Sequence, residues 1–291
     1  MQRRGLTKGV LILGISPALL LYSFFVIIPI LVSLCFSFYD WNGLTNMKFN
    51  GFENFTGIFG DKYFWVTVKN TVVVALSMVA FQLPLGFILA IMVNEITKAA
   101  KFFRTLIFFP VTISAVVASL IWNKIYNYQY GLLNGVFNFI GLDSIARNWL
   151  GESGSAIFFV CIPIIWQGVG LYMIMYTAAL QNVPGEVIES AHIDGARELT
   201  RITRIIIPLM KPTIIVTVIY SISNSFRVFD MIYVMTKGGP NHATEVMTIY
   251  MYQNAFVNMK YGYGSAVAIL ILIFSFIMIQ TVTRLIQAKE D

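Results

Sequence analysis

The residues whose types and spacing could do specific work lie in one charged stretch, 183 to 212, VPGEVIESAHIDGARELTRITRIIIPLMKP, set between two long apolar runs. Seven charged side chains fall from Glu186 to Arg204. At about 3 kcal/mol for each charge at a helix centre, burying them in lipid costs roughly 20 kcal/mol, so the stretch belongs in water. Its local grammar is helical. Pro184 suits a first turn, Glu186 and Glu189 sit where the positive end of the helix dipole favours carboxylates, and Gly195 supplies the turn that ends the helix. A second short helix then carries Arg197, Glu198, Arg201 and Arg204. Val187, Ile188, Ala191 and Ile193 place an apolar patch beside the acids of the first helix. The chemistry implied is docking: an acidic and apolar rod needs a surface to sit against.

Bond-making chemistry finds no support. There is no H-E-x-x-H, no G-x-S-x-G and no phosphate-binding G-x-x-x-x-G-K-[ST], so the chain is not expected to hydrolyse ATP. His192 and His242 fall on opposite expected sides of the membrane. Cys35 and Cys161 have neither disulfide nor metal-ligand spacing and read as small apolar fillers.

The elements that must position the rod follow from composition. The 291 residues are 57% hydrophobic and 12% charged, against about 25% charged in soluble proteins, which leaves too few ionic groups for a water-facing surface. Charge-free gaps each hold the roughly 20 apolar residues that cross a bilayer. Six spans are expected, at about 10–36, 70–94, 105–126, 156–180, 206–228 and 264–284, the third and fifth shorter or interrupted. The first run, from Val10 to Phe36, exceeds the 7–15 residues of a secretory signal core and reads as a retained helix.

Basic residues favour the cytoplasmic side. With the N-terminus inside, twelve of the twenty fall on inner segments: Arg3, Arg4, Lys8, Lys98, Lys101, Arg104, Arg197, Arg201, Arg204, Lys211, Arg284 and Lys289. Both termini and the loop 183–208 are then cytoplasmic. The net charge of +6 reflects topology and anionic lipid, with no basic, aromatic-interleaved patch for a nucleic acid.

Glu189, Ala191, Gly195, Ile205 and Pro208 stand at the spacing of the cytoplasmic EAA loop: Glu-Ala-Ala, three residues, Gly, nine residues, Ile-x-Leu-Pro. The segment resembles that loop, with Ser190 replacing the first Ala and Ile207 the Leu. Such loops belong to permease subunits of binding-protein-dependent ATP-driven (type I ABC) importers of the bacterial or archaeal cell (inner) membrane. The resemblance implies an all-α integral membrane protein of six transmembrane helices, with a coupling helix between the fourth and fifth. That helix would insert into a groove on a separate ATPase subunit. Glu189 would be an acidic anchor, Ala191 a small contact and Gly195 the close-approach turn, with Ser190 and Asp194 beside them. A solvated amphipathic connector is the plainer alternative.

A second stretch, 229–268, resembles the segment after the fifth span in sugar-importer permeases of the maltose and glycerol-phosphate type. It shares Phe229-Asp230, Thr236 to Pro240, Thr244-Glu245, Tyr252 to Phe256, and Gly262-Tyr263 to Ala266. The resemblance implies a carbohydrate cargo, an extracytoplasmic solute-binding protein, a second homologous permease and two ATP-binding cassette subunits. ATP and Mg would act in those cassettes, with no cofactor on this chain. The turn at Gly238-Gly239-Pro240 either reverses the chain or touches the binding protein.

Sugars need sparse polar and aromatic groups facing a wet cavity. Gln82, Trp166, Gln167, Tyr172, Tyr220, Ser221 and Asn224 are the candidate cargo path, although a polar stripe also serves helix packing. Arg227 and Asp230 are expected to pair at the outer boundary. An ion-coupled secondary transporter is the rival class, disfavoured because no acid or His falls mid-span.

Overall fold

Runs free of charge become the longest helices. In the computed structural model, which describes residues 8–44, 46–95 and 99–287, Gly14–Phe36, Lys62–Glu95, Ala156–Leu180 and Tyr261–Gln287 are each long and apolar enough to cross a membrane. Arg3, Arg4, Lys98 and Lys289 of the inner basic set lie outside the described residues. The 25 residues of Ala156–Leu180 reach about 37 Å, against a hydrocarbon core of about 30 Å.

The two runs expected to be interrupted are each a pair of helices. Ala100–Thr112 and Ala115–Ile125 meet at 96°, Glu198–Leu209 and Lys211–Ser225 at 74°. Extended backbone at Ile113 (ψ 136) and Ser114 (ψ 138) breaks the first pair, and Met210 (ψ −1) the second, between Pro208 and Pro212. Counting each bent pair as one crossing gives six. Three of the segments between the crossings hold the short helices Glu53–Gly60, Leu132–Phe139, Asp230–Thr236 and Met247–Tyr252. A two-residue antiparallel ladder, Tyr39–Asp40 with Lys48–Phe49, is the only sheet among the described residues.

Prolines shape the long helices in a regular way. The π-helical turns Ser23–Ile27, Met78–Gln82 and Ile202–Ile206 each end two residues before a proline, namely Pro29, Pro84 and Pro208. The wider turn absorbs a ring that cannot donate. Pro163 has no N–H to offer the carbonyl four residues back, Phe159 O, and the Tyr126 hydroxyl donates to that oxygen instead at 3.0 Å. Tyr126→Phe is therefore expected to leave a carbonyl without a partner and to destabilise the fold by about 1–3 kcal/mol, measurable as a lowered unfolding midpoint in nanodiscs.

The chain divides into two compact units. The first combines residues up to Asp61 with Met251–Leu272, the second Lys62–Tyr250 with the segment from Ile273. In the first, Asn54 Nδ2 donates to Ser37 O at 2.9 Å and Tyr39 O at 3.0 Å. The last helix begins against this turn, where Gly262 N–H donates to Trp41 O. A Cβ at 262 would stand 1.8 Å from Tyr39 O, so only glycine fits.

The second unit is built on a core that includes Val74, Met78, Val160, Cys161, Ile232 and Ile249. Cys161 is the filler expected, whereas Cys35 is exposed. Helices 62–95 and 156–180 pack closely because Gly168 lies under the Gln82 amide. A Cβ there would be 2.2 Å from Gln82 Nε2.

Candidate functional site

Helix Gly185–Ile193 follows an extended Pro184 (φ −60, ψ 125). It ends in a paired cap. Gly195 N–H donates to His192 O at 3.1 Å and Ala196 N–H to Ala191 O at 2.9 Å, with Gly195 at φ +72. This is the Schellman arrangement, which needs a left-handed residue and so favours glycine.

Glu189, Ser190, Asp194 and Gly195 are exposed, while Ala191 is buried. Ser190 Oγ donates to Glu186 O at 2.8 Å, so its hydroxyl is turned back on the helix and the residue presents little more than the alanine it replaces. The expected single patch of Val187, Ile188, Ala191 and Ile193 is split. Ala191 turns inward while Ile193 is 80% exposed, because two residues of helix rotate a side chain by about 200°. Leu199, at the start of helix Glu198–Leu209, is 72% exposed. Arg201 joins the loop to the end of helix 62–95, with Nη2 2.6 Å from Glu198 Oε1 and 3.6 Å from Glu95 Oε1.

Of the candidate cargo residues, Gln82, Gln167, Tyr172 and Asn224 line one cleft of about 280 Å³, together with Ile164 and Leu171. Gln82 Nε2 donates to Ile164 O and Ile165 O at 3.1 and 3.3 Å. Gln167 Nε2 donates to Ile113 O at 2.8 Å, at the break between helices 100–112 and 115–125. The Tyr172 hydroxyl lies close to Ser221 and Asn224 but makes no well-directed hydrogen bond to either. Gln82 Oε1, Tyr172 Oη and Ser221 Oγ are all buried without a hydrogen-bond partner. Most buried polar atoms are paired, so three orphans about one cleft mark a place built to receive hydroxyl groups or water.

The other candidates lie apart from it. The Tyr220 ring stands 6.3 Å from that of Tyr172. Trp166 lines a neighbouring apolar groove with Phe81, Leu85 and Phe158 and meets Trp122 edge-on at 5.8 Å. The expected pairing of Arg227 with Asp230 does not form. Arg227 instead donates to Ser223 Oγ at 2.8 Å, one helical turn back, and Asp230 opens helix Asp230–Thr236, where the helix dipole favours a carboxylate.

The Gly-Gly-Pro turn is knotted onto helix 62–95, which sequence reasoning missed. Asn70 Nδ2 donates to His242 O at 3.0 Å and Glu245 O at 2.9 Å, and Met247 N–H donates to Thr71 Oγ1 at 3.0 Å. Within the turn, the hydroxyls of Thr236 and Thr244 share a hydrogen bond at 2.6 Å, and Thr244 Oγ1 donates to Gly239 O at 2.7 Å. His242 Nδ1 pairs with the buried Glu245 carboxylate, under the ring of Tyr63 at 4.1 Å. Contacts spanning some 170 residues leave no local signal. Asn70→Leu removes the donor of one buried and one partly buried bond and is expected to destabilise the fold by about 2–4 kcal/mol, read as a lower unfolding midpoint and faster proteolysis of the turn.

Comparison with known proteins agrees with this architecture. Residues 82–290 match the family described as binding-protein-dependent transport system inner membrane component. The probable ABC transporter permease protein YurN of Bacillus subtilis is 35% identical over 256 residues, 87% of each chain. The sulfoquinovosyl glycerol transport system permease protein SmoG of Agrobacterium fabrum is 32% identical, covering 96% of this chain and 91% of the relative. In fold, a chain from the crystal structure of a bacterial ABC transporter involved in the import of the acidic polysaccharide alginate superposes with a TM-score of 0.82 at 23% identity, covering 96% of both chains. An all-α, multi-pass architecture, a matched segment running through both helix 185–193 and the polar cleft, and whole-length relatives converge: the chain belongs to the binding-protein-dependent transport system inner membrane components, as an integral membrane permease subunit of an ABC importer.

Proposed function

We propose that this permease subunit moves a carbohydrate, delivered by an extracytoplasmic solute-binding protein, as one of two homologous permeases driven by two ATP-binding cassette subunits. ATP and Mg²⁺ act in those cassettes. The whole chain forms one membrane domain of six crossings at the spans given above, with both termini and the loop 183–208 in the cytoplasm of a bacterial or archaeal cell.

The observation that carries the reading is a continuous path from loop to cleft. Helix 185–193 turns at Gly195 into helix 198–209, which bends through 74° into helix 211–225, and Asn224 of that helix lines the polar cleft with Tyr172 of helix 156–180. A rod seated in a cassette groove by the exposed Glu189, Ser190, Asp194 and Gly195, with Ala191 turned inward to hold the rod against its own chain, carries the closing of the cassettes along this path. The exposed Ile193 and Leu199 give the groove apolar surface to cover. A shift of helix 211–225 against helix 156–180 alters the cleft and so alternates access.

The lining also suits the cargo. Gln82, Gln167, Tyr172 and Asn224 are neutral groups able to donate and accept, no lining residue is ionisable at neutral pH, and hydroxyls offer the same dual bonding. Tyr220 and Ser221 border the path, and Trp166 backs Gln167 from the apolar side. The transport system named for the relative SmoG, of sulfoquinovosyl glycerol, supports the assignment of class. In the test, the chain is reconstituted in liposomes with and without its partners. ATP-dependent sugar uptake is expected only in the full assembly, and uphill uptake by this chain alone under an ion gradient overturns the reading in favour of an ion-coupled transporter.

A further inference from the structure

A second polar cavity, of about 430 Å³, opens in the outer segment after helix 115–125 and shares no lining residue with the cleft at Gln82. Its walls include Asn123, Tyr126, Asn127, Tyr128, Gln129 and Asn148. Four carboxamides, two phenols and Leu150 form this wall, with no carboxylate, ammonium, guanidinium or imidazole. The volume falls in the range of roughly 300–1,000 Å³ typical of small-ligand sites.

The wall is built in a way that leaves its amides available. Asn127 Oδ1 accepts from the backbone N–H groups of Gln129 at 3.0 Å and Tyr130 at 3.1 Å, which fixes the turn and leaves Nδ2 uncommitted. Asn123 Nδ2 reaches Val234 O at 3.4 Å, leaving its oxygen open. The side chains of Gln129 and Asn148 have no partner among the described residues. Asn148 lies where it does because residue 151 is glycine: a Cβ there would stand 2.2 Å from Asn148 Nδ2. The Tyr126 ring is held by its hydroxyl on Phe159 O, and the Tyr128 ring is 60% exposed. The nearby cations are engaged elsewhere, Lys124 over the Tyr130 ring at 5.5 Å and Arg147 over Trp149 at 5.3 Å and 3.6 Å from Glu152.

We propose that this cavity is a second saccharide site, a capture point in the outer segment that binds a neutral sugar through Gln129, Asn148, Asn123 and Asn127 and stacks it on Tyr128. A carboxamide both donates and accepts, as each sugar hydroxyl does, whereas an anionic or cationic ligand finds no countercharge in the wall. The proposal rests on the carbohydrate reading for its ligand class alone and requires no coupling to ATP.

The test is saturation-transfer NMR on the full chain in nanodiscs, with raffinose, maltotriose and cellotriose as probes. Transfer to at least one trisaccharide is expected in Gln82→Leu, in which the cleft at Gln82 is impaired, and is reduced at least tenfold when Tyr128→Ala/Asn148→Ala is added to that background. Absence of transfer to all three probes in Gln82→Leu, or transfer unchanged when the two further substitutions are added, overturns it. Failure of ATP-driven uptake in the assembled importer would count against the carbohydrate-import reading while leaving these spectra unchanged, so the two are distinguished.

Discussion

Gly195→Asp is expected to abolish sugar uptake by the assembled importer while ATP hydrolysis continues, unlinked from transport. The chain itself tolerates the change. No heavy atom lies within 4 Å of a Cβ at 195, and the left-handed backbone (φ +72) costs about 1–2 kcal/mol for a side chain, Asp being among the residues that visit it most readily. Folding and membrane insertion should therefore persist, which a normal unfolding midpoint would check. The damage falls on docking, where a new carboxylate stands at the exposed end of the rod. Loss of a central interface contact costs 2 kcal/mol or more, roughly 30-fold in affinity. Glu189→Ala removes one exposed carboxylate and is expected to act in the same direction, about tenfold. Uptake and ATPase rates measured on the same proteoliposomes separate uncoupling from simple loss of assembly.

Gly168→Ala is the second large effect expected. The added methyl would stand 2.2 Å from Gln82 Nε2, and since that atom ends a flexible side chain, Gln82 swings away and the helices stay packed. Its bonds to Ile164 O and Ile165 O are lost, and with them one wall of the polar cleft. Stability should fall by about 1–3 kcal/mol. The KM for cargo should rise roughly tenfold for each hydrogen bond lost, at about 1.4 kcal/mol per decade. Gly168→Ala/Gln82→Ala relieves the crowding, so stability should recover in part while uptake does not. Recovery of uptake in the double variant would show that Gln82 serves packing alone.

The parts of this architecture legible in the sequence are those written in local pattern. Charge-free runs mark the long helices, Pro184 and Gly195 bracket the rod, and the neutral polar residues of the fourth and fifth spans mark the cleft, with Gln82 reaching it from the second. The bends were half legible. The third and fifth runs read as shorter or interrupted, yet nothing local gives the 96° angle at Ile113, whose carbonyl accepts from Gln167, 54 residues distant. Tertiary pairing was not legible at all. Asn70 reads as one polar residue at the edge of an apolar run, and only the fold brings it to His242 and Glu245. Arg227 and Asp230 failed in the opposite sense: spacing allowed an ion pair, but Ser223, one turn back on the same helix, gives the guanidinium a nearer acceptor. Ile193 shows the same limit, since membership of an apolar cluster in sequence does not say which face of a short helix a side chain takes.

The central claim, that helix 185–193 is a cytoplasmic lever seated on an ATPase subunit, is tested most directly by sidedness. A single cysteine at Ser190, which is exposed, is introduced after Cys35→Ser and Cys161→Ala remove the two free thiols, and is treated with a membrane-impermeant maleimide. The account predicts labelling in inverted membrane vesicles, suppressed when the ATPase subunits are bound, and none in intact cells. Labelling of intact cells would place the helix on the outer face and contradict it.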